Sequence, residues 1–228
     1  VITNDGYYFR RDGVLYENDF NGLSALPSEF VKTGSNSTVA LDSKGQLDFD
    51  STKETFSTYY LNQYVGSDYL VQADITIDAR TAENRYFGLV GRLQSSSKYV
   101  EAGVRFNGAG GWIEADGGGG GLKSFVPSDL GLSFELGGTY TLTLICKGDA
   151  AAFFVDGILL GEATIPAGYE KGYVGICTSG VSMSVDNFIV RTVDDVEDSY
   201  IMYENYFTDL TEAPAEWDIN KAATRYNK

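Results

Sequence analysis

Three consecutive strand-like segments near the middle of the chain alternate apolar residues with charged or aromatic ones. Successive side chains of a β-strand point to opposite faces of a sheet, so each segment has an apolar and a polar side. The residues expected to point inward are Leu89, Gly91, Val100, Ala102, Val104, Phe106, Ile113 and Ala115. The residues expected on the opposite face are Arg92, Tyr99, Glu101, Arg105, Trp112, Glu114 and Asp116.

This outward set suits the recognition of sugars. A flat ring such as Trp112 or Tyr99 can stack on the C–H face of a pyranose. Charged planar groups make paired hydrogen bonds to neighbouring hydroxyls. We therefore predict a shallow glycan-binding site, on a concave sheet, with the following ligand-binding residues: Arg92, Tyr99, Glu101, Arg105, Trp112 and Glu114.

A simpler interpretation of the same residues is a pair of ordinary cross-strand ion pairs, Arg92 with Glu101 and Arg105 with Glu114. Each would contribute a few tenths of a kcal/mol up to about 1 kcal/mol. A second aromatic cluster, formed by Tyr59, Tyr60 and Tyr64, is a candidate for the rim of the groove. Tyrosine-rich edge strands are also common in β folds without any binding role.

Short apolar runs with period-two alternation follow one another from Leu15 to Val190, and no segment shows a sustained helical stripe. This pattern predicts an all-β chain forming a two-sheet antiparallel β-sandwich. Asp156-Gly157 lies between two apolar runs and predicts a hairpin, because two-residue hairpin turns need positive φ and glycine tolerates it. The five glycines of 117–121 predict a mobile loop.

The end of the chain repeats its beginning. Residues 201–207 match the pattern of 14–20, and residues 213–217 match that of 26–30, at the same offset of 187 residues (201 minus 14). This offset is about the size of one domain. We predict one module over 1–193, followed at 194–228 by a linker and the truncated start of a second repeat. Modules strung in series usually bind or space things, which favours an attachment role.

Composition excludes several classes of partner and mechanism. The chain carries 17 Lys and Arg against 32 Asp and Glu, giving a net charge of −15 without a basic cluster. Nucleic acids and anionic membranes are therefore poor partners. No run of about eighteen apolar residues occurs, so we expect no membrane insertion. Histidine is absent, which removes imidazole-based catalysis and most zinc sites. For Cys146 and Cys177 there are two alternatives, a disulfide between them or two buried free thiols.

Several segments together resemble the concanavalin A-like lectin and glucanase superfamily. The matching segments are 17–22 (Glu-Asn-Asp-Phe-Asn-Gly), 88–92 (Gly-Leu-Val-Gly-Arg), 154–157 (Phe-Val-Asp-Gly), 172–176 (Gly-Tyr-Val-Gly-Ile) and 185–190 (Val-Asp-Asn-Phe-Ile-Val). The resemblance covers about 14–193 and implies a jelly roll from a secreted or surface-attached bacterial protein. It also implies a structural calcium ion between the first and last strands. The matching positions are Asp19, the carbonyl of Gly45 and Asp186, and oxygen ligands of this kind suit calcium.

Three functions compete on these residues. The leading hypothesis is a non-catalytic carbohydrate-binding module that binds polysaccharide or oligosaccharide. The first alternative is a structural or adhesive spacer module that contacts protein. The second is a glycoside hydrolase using Glu114 and Asp116, although glucanases of the superfamily carry three alternating acids and this chain has two before its glycine run.

Overall fold

The computed structural model describes residues 13–53, 56–63, 65–115 and 120–193. These residues form β-strands joined by loops, with one short 3₁₀ helix, Pro127–Leu130. The strands are β1 (Val14–Asn18), β2 (Phe30–Thr33), β3 (Thr38–Leu41), β4 (Leu47–Asp50), β5 (Ser57–Leu61), β6 (Tyr69–Arg80), β7 (Tyr86–Ser95), β8 (Lys98–Arg105), β9 (Gly111–Ala115), β10 (Gly120–Phe125), β11 (Thr139–Lys147), β12 (Ala150–Val155), β13 (Ile158–Thr164), β14 (Tyr173–Ser179) and β15 (Val181–Thr192). The all-β prediction is confirmed.

The strands form two antiparallel sheets. The eight-stranded sheet has the order β13-β12-β11-β6-β15-β4-β3, and β1 pairs with the second half of β15. The seven-stranded sheet has the order β10-β9-β8-β7-β14-β5-β2. Strands far apart in sequence, such as β6 and β15, are hydrogen-bonded neighbours, and the chain crosses repeatedly between the sheets. This confirms the predicted two-sheet antiparallel sandwich.

The core lies between the two sheets because each strand turns its alternate apolar residues inward. Phe49, Ile75 and Phe153 are fully buried there. The residues predicted to point inward from the segments of β7, β8 and β9 all belong to this core, namely Leu89, Val100, Ala102, Val104, Phe106, Ile113 and Ala115. Gly91 also faces the core, because a Cβ built on it would lie 2.7 Å from the Tyr69 hydroxyl.

Two predicted turns can be compared with the structure. Asp156 and Gly157 join β12 to β13 with φ values of 51° and 78°, so the predicted hairpin is confirmed. The prediction of a loop over the glycine run is wrong for its last two residues. Gly120 and Gly121 belong to β10 and pair with Ala115 and Glu114, whereas 117–119 lie outside the described residues. The predicted linker and second repeat at 194–228 also lie outside them.

Among the described residues there is no helix with the length and apolarity needed to cross a lipid bilayer.

Candidate carbohydrate-binding surface

The candidate site lies on the outer face of the seven-stranded sheet, where strand pairing lines up its side chains. In one row across the sheet, Val90 of β7 lies opposite Glu101 of β8, which lies opposite Glu114 of β9. In the neighbouring row, Gly103 of β8 lies opposite Trp112 of β9. Directly paired residues in antiparallel strands have Cβ atoms about 5 Å apart. The register therefore makes Glu101 and Glu114 immediate neighbours.

The Glu101 carboxyl and the Trp112 indole both lie against the backbone of Gly103. A Cβ added at Gly103 would lie 3.5 Å from both Glu101 Oε1 and Trp112 Cζ2. The half-buried Trp112 ring packs edge-on against Tyr86, with the ring centroids 4.8 Å apart. The exposed Arg105 places its guanidinium carbon 5.9 Å from the Trp112 centroid, within cation–π range. We call Tyr86, Glu101, Arg105, Trp112 and Glu114 together the Trp112 surface.

Glu101 is the most unusual group of this surface. Its side chain is only 1% exposed, and burial, followed by the charge of Glu114, raises the pKa of its carboxyl to about 8. The nearby Trp112 indole opposes part of that rise in pKa. Glu101 Oε1 and Trp112 Nε1 both lack a partner with full hydrogen-bond geometry among the described residues. This raised pKa favours the protonated form of Glu101 at neutral pH.

Glu114 is the more accessible of the two acidic residues. It is half-buried, and this partial burial raises its pKa above the ordinary value. Burial also raises the pKa of the Tyr86 hydroxyl, and the neighbouring Glu101 carboxyl adds to the rise. The predicted hydrolase partner of Glu114, Asp116, lies outside the described residues. The acidic neighbour that the structure gives Glu114 is instead Glu101.

The prediction that Arg92 points to the outer face is wrong. Its side chain is 1% exposed, and its guanidinium donates to the carbonyls of Tyr169 (2.8 Å), Gly148 (2.7 Å) and Ser67 (3.1 Å). The backbone N–H of Arg92 donates to the Tyr69 hydroxyl at 2.7 Å. Arg92 therefore ties loops to the core and is unavailable to a ligand on the Trp112 surface.

A β-bulge is the reason for this error. Tyr173 of β14 pairs with Leu93 of β7, whereas Gly175, two residues on, pairs with Val90, so β7 holds one extra residue. The bulge is marked by Arg92 itself, whose φ of +48° lies in the left-handed region. An extra residue breaks the alternation of faces. The alternation that predicted an outward side chain at position 92 fails at this point.

The ion pairs proposed as the simpler interpretation do not form. Arg92 contacts backbone carbonyls, and Arg105 lies opposite Tyr86 in the register rather than opposite Glu114. Among the described residues, no ion pair joins either arginine to Glu101 or Glu114. The two glutamates thus face each other without a counter-charge on the neighbouring strands.

A second aromatic group lies beside the Trp112 surface on the same face. Tyr99 is buried and stacks on the half-buried Phe56, with centroids 5.3 Å apart. Tyr60 and Tyr173 have centroids 5.5 Å apart. Of the predicted rim tyrosines only Tyr60 is found here, because Tyr59 points into the core and position 64 lies outside the described residues.

The sequence prediction missed two aromatic residues of this face, Tyr86 and Tyr173, for different reasons. Tyr86 and Val90 share the parity of the outward residues on β7, so extending the pattern to the start of β7 would have found Tyr86. Tyr173 could not be found in this way, because the neighbour relation between β14 and β7 depends on long-range pairing.

The predicted calcium ligands converge on one loop. The carbonyl of Gly45 accepts a hydrogen bond from the N–H of Leu23 at 3.0 Å. Asp186 accepts from the Asn21 side-chain amide at 3.3 Å, and Asp19 accepts from the Asn21 backbone N–H at 3.2 Å. Among the described residues, no three Asp, Glu, Cys or His side chains gather as a metal site. Any ion here would therefore depend on carbonyl and amide oxygens as well as carboxylates.

The two cysteines are both buried and free. Cys146 belongs to the core between the sheets. Burial raises the pKa of the Cys177 thiol, and the nearby Glu101 and Glu114 add to the rise. No disulfide joins them.

The sandwich resembles several solved carbohydrate-related structures. A carbohydrate-binding module, CBM66 from Bacillus subtilis, aligns with a TM-score of 0.59 at 17% identity, covering 72% of this chain and 96% of that one. A protein of unknown function with a galectin-like fold from Bacillus subtilis gives a TM-score of 0.64 at 12% identity, with coverages of 81% and 98%. The endo-β-1,3-glucanase from Pyrococcus furiosus gives 0.60 at 12%, with coverages of 85% and 98%.

No protein-family model matches the sequence, and no curated protein matches it. At these identities the likeness to solved structures shows the fold alone. The chain has a jelly-roll sandwich fold shared by carbohydrate-binding modules, galectin-like proteins and glucanases. Fold does not decide among such activities, so function must be argued from the side chains of the site.

Proposed function

We propose that this chain is a non-catalytic carbohydrate-binding module that holds glycan on the Trp112 surface. The observation that carries the proposal is the half-buried Trp112 ring, which lies beside the Glu114 carboxylate and under the Arg105 guanidinium. An indole face offers stacking area to a pyranose, and the two charged groups offer hydrogen bonds to its hydroxyls. Tyr60 and Tyr173 extend the aromatic area across the sheet.

The module would act outside the cell as part of a larger bacterial protein that carries further modules of this kind. Repetition of weak sites along one chain raises avidity without new contacts. The likeness of fold to a carbohydrate-binding module and to a carbohydrate recognition domain, that of Emp47p, is consistent with this role.

Binding can be tested by affinity gel electrophoresis against a panel of soluble polysaccharides. We expect retardation by at least one of them, and Trp112→Ala should weaken it at least tenfold, which corresponds to about 1.4 kcal/mol. Leu136→Ala is the matched control, because Leu136 is 51% exposed and lies outside the Trp112 surface, in the loop before β11.

The outcomes separate the competing functions. Retardation that Trp112→Ala leaves unchanged would move the site elsewhere on the module. A complete lack of retardation would contradict carbohydrate binding and favour the spacer module. Release of reducing sugar from a retained polysaccharide would contradict the non-catalytic role and favour the hydrolase.

We also propose a structural calcium ion held by Asp19, the Gly45 carbonyl and Asp186. Support comes from the convergence of all three on residues 21–23, and from Gly45 itself. A Cβ at Gly45 would lie 2.6 Å from the backbone of Leu23, so the close approach of the two segments requires glycine. Calcium should raise the unfolding temperature of the chelator-treated protein, and Asp186→Asn should reduce that rise. An unchanged unfolding temperature would contradict the proposal.

A further inference from the structure

We propose that the Trp112 surface selects uncharged glycans and rejects those that carry carboxylate or sulfate groups. This inference rests on the proposed function and names the class of ligand for the same site. It follows from the distribution of charge and of hydrogen-bonding groups on this face of the sheet.

The first step is the acidic pair at the centre of the site. Glu101 and Glu114 are direct cross-strand neighbours, so ionising both would place two repelling like charges side by side. No cation on the described neighbouring strands pairs with either of them. The effect of that environment is visible in Glu101, whose pKa is raised by burial and by the charge of Glu114. An anionic group brought to this position would likewise be repelled by the charge of Glu114.

The second step concerns the cations of the seven-stranded sheet. Among the basic residues on the described strands of this sheet, Arg105 is the one that lies on the Trp112 surface. Its guanidinium lies over the indole. The other basic residues of these strands are engaged elsewhere. Arg92 is enclosed by backbone carbonyls, and Lys32 donates to the carbonyls of Gly34 and Ser37. Lys98 lies 5.2 Å from the centroid of Tyr169, and Lys123 packs against Gly161.

The third step is the hydrogen-bonding chemistry of the central groups. Glu101 Oε1 and Trp112 Nε1 are closed to solvent, so the groups that a ligand can reach are the half-buried Glu114 carboxylate and the exposed Arg105 guanidinium. A hydroxyl both donates and accepts, so a sugar hydroxyl complements these two groups together. An ionised carboxylate or sulfate only accepts hydrogen bonds and offers nothing to the charged Glu114. The site is therefore complementary to a polyhydroxylated, uncharged ligand.

The test uses pairs of polysaccharides that share a backbone and differ in charge. Laminarin and hydroxyethyl cellulose are compared with carboxymethyl laminarin and carboxymethyl cellulose by affinity gel electrophoresis at low salt. We expect the neutral member of a retained pair to bind at least tenfold more tightly than its carboxymethyl counterpart. Glu114→Gln should narrow that ratio severalfold, because it removes the accessible negative charge while keeping the size of the side chain.

The control is Asp129→Asn, which removes the same charge from the exposed Asp129 on the short 3₁₀ helix. It should leave the ratio unchanged. If Asp129→Asn narrows the ratio as much as Glu114→Gln does, the net charge of −15 causes the discrimination and the inference is overturned. Equal or tighter binding of a carboxymethyl form also overturns it, although carbohydrate binding itself would then stand. Failure of all four polysaccharides and of the wider panel would instead remove the proposed function and this inference with it.

Discussion

The two sheets present outer faces of very different construction. On the eight-stranded sheet, Asp74 accepts hydrogen bonds from Thr141 (2.5 Å) and Asn187 (2.8 Å), and Ser184 donates to Asp78 at 2.9 Å. On the seven-stranded sheet, two glutamates face each other, and Glu101 Oε1 and Trp112 Nε1 have no partner among the described residues.

This contrast indicates what each face is for. Polar groups on a sheet face can be satisfied by short hydroxyl, amide and carboxylate pairs, as Asp74 and Asp78 are on the eight-stranded sheet. Leaving a buried carboxyl oxygen, such as Glu101 Oε1, unpaired costs free energy of folding, about 1–3 kcal/mol. Groups kept at such a cost tend to mark functional sites, because the same perturbed environment prepares them for a ligand. This cost supports the proposed binding role of the Trp112 surface.

The largest effect is expected at Arg92, and it tests whether the seven-stranded face carries one arginine or two. Arg92→Ala should lower the free energy of unfolding by roughly 3–5 kcal/mol, because three backbone carbonyls lose a charged donor. Arg105→Ala should cost less than about 1 kcal/mol, since its guanidinium is exposed. Urea unfolding of both variants measures the difference. If both variants lost a similarly small free energy of unfolding, the Arg92 side chain would lie on the outer face of the sheet after all.

The second prediction sharpens the contrast through pH. The Glu101 carboxyl titrates near 4.5 in the unfolded chain and near 8 in the folded one, so the unfolded state binds fewer protons between these values. Glu101 therefore lowers the free energy of unfolding progressively as the pH rises from 4.5 to 8. Glu101→Gln should stabilise the fold by roughly 2–5 kcal/mol at pH 8 and hardly at all at pH 4.

Thermal or urea unfolding of the two proteins across this pH range provides the measurement. Glu114→Gln is a useful comparison, because it removes the charge that helps raise the Glu101 pKa while leaving that carboxyl in place. It should reduce the pH dependence only in part. A wild-type protein whose stability does not fall between pH 4.5 and pH 8 would show that Glu101 is paired, and the contrast between the two faces would disappear.

The sequence predicted the architecture because period-two alternation holds over much of the strand content, as in β6 and β9. It also placed Glu101, Trp112 and Glu114 on one face correctly, since β8 and β9 keep their alternation. It failed at Arg92 because a β-bulge with a non-glycine residue at positive φ leaves no mark in a single sequence.

The partners of the glutamates could not be predicted for a different reason. Which residues face each other across β8 and β9 depends on the length and shape of the turn between them, 106–110. The observed register sets Glu101 against Glu114, whereas the simpler of the two interpretations of the sequence paired each glutamate with an arginine. Alternation fixes the face of a residue but not its neighbour on the next strand.

The smallest effect is expected on the eight-stranded sheet, and it has the opposite sign to that of Glu101→Gln. Asp74→Asn keeps the size of the side chain but weakens its hydrogen bonds from Thr141 and Asn187, so it should lower the free energy of unfolding by about 1 kcal/mol at pH 7. Urea unfolding beside Glu101→Gln at the same pH makes the comparison direct. If charge repulsion across the whole molecule, with its net charge of −15, governed the stability of both variants, the two substitutions would stabilise the protein alike. Opposite signs would instead show that local partners decide, with a satisfied carboxylate on one face and an unsatisfied carboxyl on the other.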